Sequence, residues 1–252
     1  MSKVKNATDS SYEMKEEGKF KCYIRENSSD AVVFKDNLQK CPIEKHIEVN
    51  ENQKWVDLGG YIGTFAMFLR SRGVVPTFSV EADPDNAEMY VKNMDLNGIK
   101  DYKLLNKAVF LNPQKPVMTL YKGSKGSRKN HAANTFFSRW KTERDTLEIP
   151  TISFDKVMKQ AIKYLGKGGE WNLKLDIEGA EIDILERADL SMFNNFFFEY
   201  HFQADKSVKR AKRIFKMFRS KGYTVKTSIS LPKTAEPEYW TQEVFIAWIF
   251  KS

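Results

Sequence analysis

The side chains of this 252-residue chain with most to offer chemically are Asp57, Glu81, Asp176, Glu178, Glu199 and His201. Each stands where a short apolar run meets glycine or polar residues: Trp55-Val-Asp57 before Gly59, Phe78-Ser-Val-Glu81 before Asp83, Leu173-Lys-Leu-Asp176 before Glu178, and Phe198-Glu199-Tyr-His201. Carboxylates so placed can accept hydroxyl donors, face a cation or take a proton. Asp176, Glu178 and Glu199 together could hold Mg²⁺ through oxygen ligands. His201 is the only one of the three histidines on an expected strand tip, which makes it the first candidate for a general base. Asp176 is its rival, or else orients a bound group. Lys174, two residues before Asp176, is placed to ion-pair with Asp176 or Glu199. Glu181 falls in the first turn of the next helix, where a carboxylate complements the helix dipole, so its reading is structural.

A glycine turn, Gly59-Gly60-Tyr61-Ile-Gly63, follows the first of these acids. Glycine lets backbone approach a ligand closely, and the apolar helical pattern of Phe65, Phe68 and Leu69 puts free N–H groups at the turn. This is the pattern of a nucleotide turn. A phosphate-binding loop would need a lysine after its last glycine, and none follows Gly63. A dinucleotide fingerprint would place Tyr61 and Thr64 where its second and third glycines belong, and the Tyr61 side chain would obstruct a pyrophosphate.

These residues need parallel strands to present them. A run from Trp55 to Asp57, one through Phe78 and Val80 to Glu81, 102–105, a run from Trp171 toward Asp176, and 195–202 read as strands. Between them lie a helix carrying Phe65, Phe68 and Leu69, helices at about 84–97 and 152–165, and one carrying Ile182 and Leu185 that ends before Leu190. An amphipathic helix over 206–221 and strands over 223–229 and 244–250 close the pattern. In an open α/β sheet, ligands bind outside the carboxyl ends of the strands, where all six residues fall. Before this domain, runs at 20–24 and 31–34 flank the turn cluster Asn27-Ser-Ser-Asp30 and predict a hairpin. Residues 37–49 lie over the mouth of the site or form a structural cap. The organisation is thus a polar tail over 1–18, a hairpin and cap over 19–50, and one domain over 51–252. A strand at 117–121 leads into a lysine-, glycine- and serine-rich loop at 122–131, long enough to read as functional or as a solvated hairpin.

Asp57-x-Gly59-x-x-x-Gly63 with Glu81 closing the next strand resembles the opening of class I S-adenosylmethionine-dependent methyltransferases. With Val80-Glu-Ala-Asp-Pro-Asp-Asn86, Lys174-Leu-Asp-Ile-Glu-Gly-Ala-Glu181 and Phe198-Glu-Tyr-His201, the chain is similar to the FkbM family over about residues 20–205. Two departures stand out: the family more often carries Gly-Ala-Asn where this chain has Gly59-Gly60-Tyr61, and Phe-Glu-Pro where it has Glu81-Ala-Asp-Pro84. The resemblance implies a Rossmann-like, doubly wound, seven-stranded, mostly parallel sheet, here with an N-terminal hairpin extension. It implies S-adenosylmethionine as cofactor, held by Asp57, Gly59, Gly60, Tyr61, Gly63, Glu81, Ala82, Asn106, Ala108 and Asp176. Glu81 would accept the ribose hydroxyls, and 106–109 would border the adenine. It implies O-methylation of a sugar, glycan or other hydroxylated acceptor, with His201, Asp176, Glu199 and Lys174 as the catalytic set.

Composition bounds the partners. A net charge of +8 invites an anionic partner and keeps an RNA or nucleotide methyltransferase as the second reading, although lysines are spread evenly and the 122–131 loop lacks interleaved aromatics. A third reading, a cofactor-binding subunit without turnover, leaves the acceptor-side acids unexplained. Two cysteines make no disulfide framework, and no run reaches the ~18 apolar residues of a membrane span, so a cytoplasmic enzyme is expected.

Overall fold

The computed structural model describes residues 12–26, 28–122, 136, 145–201, 208–231 and 244–251. Its centre is a seven-stranded sheet built from β3 (Gln53–Leu58), β4 (Thr77–Glu81), β5 (Tyr102–Asn106), β9 (Glu170–Leu175), β10 (Phe193–His201), β11 (Tyr223–Thr227) and β12 (Val244–Lys251). The order is β11-β12-β10-β9-β3-β4-β5. Neighbours from β10 to β5 pair in parallel, and β12 runs antiparallel to both β10 and β11. The chain therefore leaves β3 toward β4 and β5, then returns to β9 on the other side of β3. The crevice at that reversal is where doubly wound folds take ligands.

Strand periodicity builds the two layers. Val56, Leu58, Phe78, Phe196 and Phe198 are buried with Val157 of α4 (Phe154–Leu165), Ile184 of α5 (Glu181–Arg187) and Phe215 of α6 (Val208–Ser220). The alternate residues Trp55, Phe197 and Trp248 pack with Phe65 and Phe68 of α2 (Thr64–Ser71) and with Ile43. This is the period-two alternation of strands buried on both faces. The loop between β4 and α3 (Pro84–Leu96) is closed by the Asp83 side chain, which caps the Asp85 N–H at 2.9 Å.

The N-terminal hairpin exists, one strand earlier than the sequence suggests. β1 (Tyr12–Glu17) pairs antiparallel with β2 (Phe20–Arg25) through a turn at Gly18, whose φ of 58° suits glycine. Residues 12–17 thus belong to a strand and not to a tail. β1 is exposed along nearly its whole length, so it carries no apolar alternation by which to be seen. The Ser28-Ser29-Asp30 cluster starts a helix, α1 (Asp30–Lys40), in place of a second hairpin strand. A 3₁₀ turn follows at Pro42–Lys45.

A small second sheet, β6 (Ala108–Phe110), β8 (Thr146–Ser153) and β7 (Val117–Tyr121) in the order β6-β8-β7, stands beside β5. β8 occupies residues that read as a charged run and a helix start, and α4 begins only at Phe154. Residues 1–11, most of the 122–144 loop, and the proline-containing loop between β11 and β12 lie outside the described residues.

Candidate active site

At the β3–β9 reversal lies a cavity of about 360 Å³. Its floor is the glycine turn. Gly59 has φ 96°, and a Cβ there would stand 2.0 Å from the Asp176 carbonyl oxygen, so the turn and the end of β9 touch backbone to backbone. Asp176 N–H donates to the Leu58 carbonyl at 2.9 Å, and the N–H groups of Gly59 and Gly60 donate to the Val80 carbonyl. Three strand ends are locked into one rim.

One end of the cavity is apolar, lined by Ala108, Val109, Leu120 and Phe136, with Phe110 and Phe136 edge to face at 5.3 Å. Glu81 stands on the rim, 8% exposed. Its Oε2 accepts the Tyr61 N–H at 2.8 Å, and its Oε1 accepts the Asp83 N–H at 2.9 Å. Burial pushes its pKa up to about 7, against the pull of those two donors. Asn106 is not among the lining residues; its amide donates to the Glu81 and Ala82 carbonyls and fixes the strand end from behind.

The other end is acidic. Asp176, Glu178 and Glu199 line it with Lys174, Phe65, Phe197 and Ile246, and α1 and the 3₁₀ turn contribute Asp36, Asn37 and Pro42. Lys174 does not hydrogen-bond Asp176 or Glu199. It donates to Asp57 Oδ1 at 3.0 Å and to the Gly59 carbonyl at 2.9 Å. Burial works against its charge, but Asp57 and then Asp176 hold the ammonium protonated. Asp57 also accepts from Ser79 Oγ at 3.2 Å, is 1% exposed and lies outside the lining, as does Gly63. Asp57 therefore reaches the cavity only through Lys174. The pair ties the glycine turn to β9.

His201 does not fit the role of free general base. It is 4% exposed and outside the cavity lining. Nδ1 lies 2.9 Å from Glu181 Oε1, and Nε2 lies 3.4 Å from Glu178 and 3.8 Å from Glu199. Burial disfavours the imidazolium, but Glu181, Glu178 and Asp176 outweigh it and lift its pKa to about 10. At neutral pH the ring already holds its proton. Glu181, fully buried, also accepts the His201 and Gly179 N–H groups. It anchors the end of β10 as well as starting α5.

The oxygen-only Mg²⁺ set does not form either. Among the described residues, the group whose potential ligand atoms lie within 4.8 Å of one another is Asp176, Glu199 and His201, and Glu178 turns its carboxylate to His201 instead. An imidazole is a poor partner for Mg²⁺, which selects carboxylate, carbonyl and water. These residues do not fit that ion.

What the acids do have is shifted proton affinity. The charge of Asp176, then burial, push Glu199 up to about 7. Burial and then Asp176 push Glu178 up to about 8, against the pull of His201. Phe197, Phe65, Ile246, Phe136 and Asp36 were not identified from sequence. Phe197 alone carried a signal, since it shares its strand face with Glu199 and His201.

A doubly wound sheet with a glycine turn at its switch point and an acid closing the next strand defines a Rossmann-like nucleotide-cofactor enzyme. The model of the methyltransferase FkbM domain matches residues 57–225, more than half of the chain, and the chain belongs to that family of S-adenosylmethionine-dependent methyltransferases. No curated protein sequence matches. Solved structures with a distant likeness include Methanocaldococcus jannaschii Trm5 with adenosine, 13% identical at TM-score 0.45 over 96% of this chain and 55% of that one. M. jannaschii TYW2 with AdoMet is 10% identical at TM-score 0.44, over 96% and 85%. A ribosomal protein L11 methylase from Lactobacillus delbrueckii subsp. bulgaricus is 11% identical at TM-score 0.39, over 88% and 79%. At these values the likenesses say nothing about the acceptor.

Proposed function

We propose that this enzyme O-methylates a neutral hydroxylated acceptor of the sugar or glycan class, in a cytoplasmic setting. The observation that carries the reading is the charge of the cavity. Asp36, Glu81, Asp83, Asp176, Glu178 and Glu199 line it, against Lys107 and Lys174. Lys174 is spent on Asp57 and Asp83 on Lys122, while Glu81, Glu178 and Glu199 are pushed toward their protonated forms. A polyphosphate chain entering this space would meet mostly hydrogen-bonding carboxyl groups, with Lys107 as the one lining cation among the described residues that is not paired to an acid, an arrangement that disfavours it. Hydroxyls meet acceptors. Part of the chain's basic surplus lies on the exposed face of α6.

The cavity suits the cofactor. A flat apolar end at Ala108, Leu120 and Phe136 matches an adenine ring, and the Glu81 carboxylate matches a ribose diol. Gly60 and Tyr61 supply the floor, and the acids beyond favour cationic groups. The bound cofactor supplies an electrophilic methyl on a sulfonium. The chain's own part is to orient an acceptor hydroxyl and take its proton. Glu199 is the residue we assign as base: it lines the cavity, and Asp176 beside it holds its pKa near neutrality, where a base is most effective. Asp176 orients the acceptor, Lys174 fixes the turn, and His201 is the buried countercharge that holds Glu178, Glu181 and Glu199 together.

The test is a panel. The purified enzyme is incubated with S-adenosylmethionine and neutral oligosaccharides, polyols, nucleotides or total RNA, and S-adenosylhomocysteine is quantified. Turnover is expected with hydroxylated neutral acceptors. Methyl incorporation confined to RNA, falling steeply with salt, would replace this reading with the nucleic-acid one.

A further inference from the structure

Five buried or half-buried polar side chains close a ring behind the turn that carries the cofactor. Arg25, at the end of β2, donates Nε to Asp30 Oδ2 at 2.8 Å and Nη2 to Asp30 Oδ1 at 2.9 Å. Its Nη1 donates to Asn86 Oδ1 at 2.8 Å. The Asn86 amide in turn reaches Glu81 Oε1 at 3.4 Å. On the other side the Tyr61 hydroxyl donates to Asp30, and the Tyr61 N–H donates to Glu81 Oε2 at 2.8 Å. The Arg25 guanidinium also lies 5.6 Å from the Tyr61 ring centroid. Arg25, Asp30 and Asn86 are 5%, 0% and 3% exposed.

Tyr61 is the strained member. Its φ of 49° is a left-handed conformation that a bulky residue seldom adopts and that costs about 1–2 kcal/mol. The conformation accompanies an N–H directed at Glu81. A tyrosine free to relax would swing that N–H away, and its phenol is tied to Asp30, which the bidentate Arg25 holds in turn. Asp30 and Arg25 belong to the N-terminal extension, outside the matched family domain.

We infer that Arg25, Asp30, Tyr61 and Asn86 are positioning residues that hold the Glu81 carboxylate for the ribose diol, so that the N-terminal extension is part of the cofactor site. The inference rests on the reading of Glu81 as the ribose acid. The ring gives each Glu81 oxygen an inward partner and keeps the remaining lone pairs directed to the cavity. It also accounts for the contact between Asp30, at the start of α1, and a tyrosine in a glycine turn 31 residues later.

The test uses the full chain and calorimetry with S-adenosylhomocysteine and its 2′,3′-dideoxy analogue. Tyr61→Phe removes only the phenol oxygen. Asn86→Asp keeps the bond to Arg25 as an ion pair but sets a carboxylate against Glu81. Both variants are expected to weaken S-adenosylhomocysteine at least tenfold while the dideoxy analogue changes less than twofold, with the melting temperature of the ligand-free protein within a few degrees of the parent. A structural role would weaken both ligands equally, and that result, or unchanged binding, would overturn the inference. If the parent itself binds both ligands equally, the reading of Glu81 fails first, independently of the ring.

Discussion

Glu178 is a carboxylate held where it resists ionisation, and replacing it with glutamine should stabilise the protein. It is 22% exposed at the side chain, faces His201 Nε2 at 3.4 Å, and has Asp176, Glu181 and Glu199 as like-charged neighbours. Burial first, and then those charges, raise its pKa from 4.5 to about 8. A folded-state pKa above the unfolded value means that the folded protein binds more protons across that window. Stability is therefore intact below pH 4.5 and is lost as pH rises through 8. A shift of that size corresponds to roughly 3–5 kcal/mol at 1.36 kcal/mol per unit, fully expressed only above the window. The glutamine introduced by Glu178→Gln carries no charge, retains the volume and accepts the same backbone conformation. The removed attraction to His201 is already counted, and the imidazolium keeps Glu181 at 2.9 Å. Urea denaturation at pH 5, 7 and 9 should show Glu178→Gln close to the parent at pH 5 and more stable by a few kcal/mol at pH 9. A variant less stable than the parent at pH 9, or a pH-independent difference, would refute the electrostatic account of this cluster.

Three further outcomes follow from the same geometry. Glu199→Gln should lower turnover by about 10²–10⁴-fold with cofactor affinity retained, and the parent's rate should rise with pH through about 7 as Glu199 ionises, read as S-adenosylhomocysteine release on the best acceptor of the panel. Lys174→Met should cost about 3–5 kcal/mol by leaving Asp57 buried without its cation, and the double variant with Asp57→Asn should recover most of the loss in urea titrations. Gly59→Ala should destabilise by about 3 kcal/mol or more and abolish S-adenosylhomocysteine binding, because the new methyl meets the Asp176 carbonyl at 2.0 Å; a calorimetric titration resembling the parent's would contradict the backbone contact.

Most of the sheet was legible in the residue pattern. Apolar runs ending in Asp57, Glu81, Asp176 and His201 are local patterns, and an acid at the end of a parallel strand has to stand at the carboxyl edge, whatever the rest of the chain does. Gly59 and Gly63 were legible for the same reason, since both occupy left-handed backbone that favours glycine. β1 and β8 were not legible. An exposed edge strand such as β1 needs no hydrophobic alternation, and β8 is recognised only by its partners β6 and β7.

The partner each charge takes is set by folding. Sequence spacing brings Lys174 near Asp176, yet parallel pairing of β9 with β3 sets Lys174 opposite Asp57, and the buried lysine takes that partner. His201 looks like a base because imidazole titrates near neutrality in water. Glu181, Glu178 and Asp176 move that titration to about 10, while Glu199, raised to about 7, is the carboxyl we propose as base. Proton affinity is a property of the packed neighbourhood. That is why residue type and spacing put these side chains at strand ends, while the partners supplied by folding set their proton affinities.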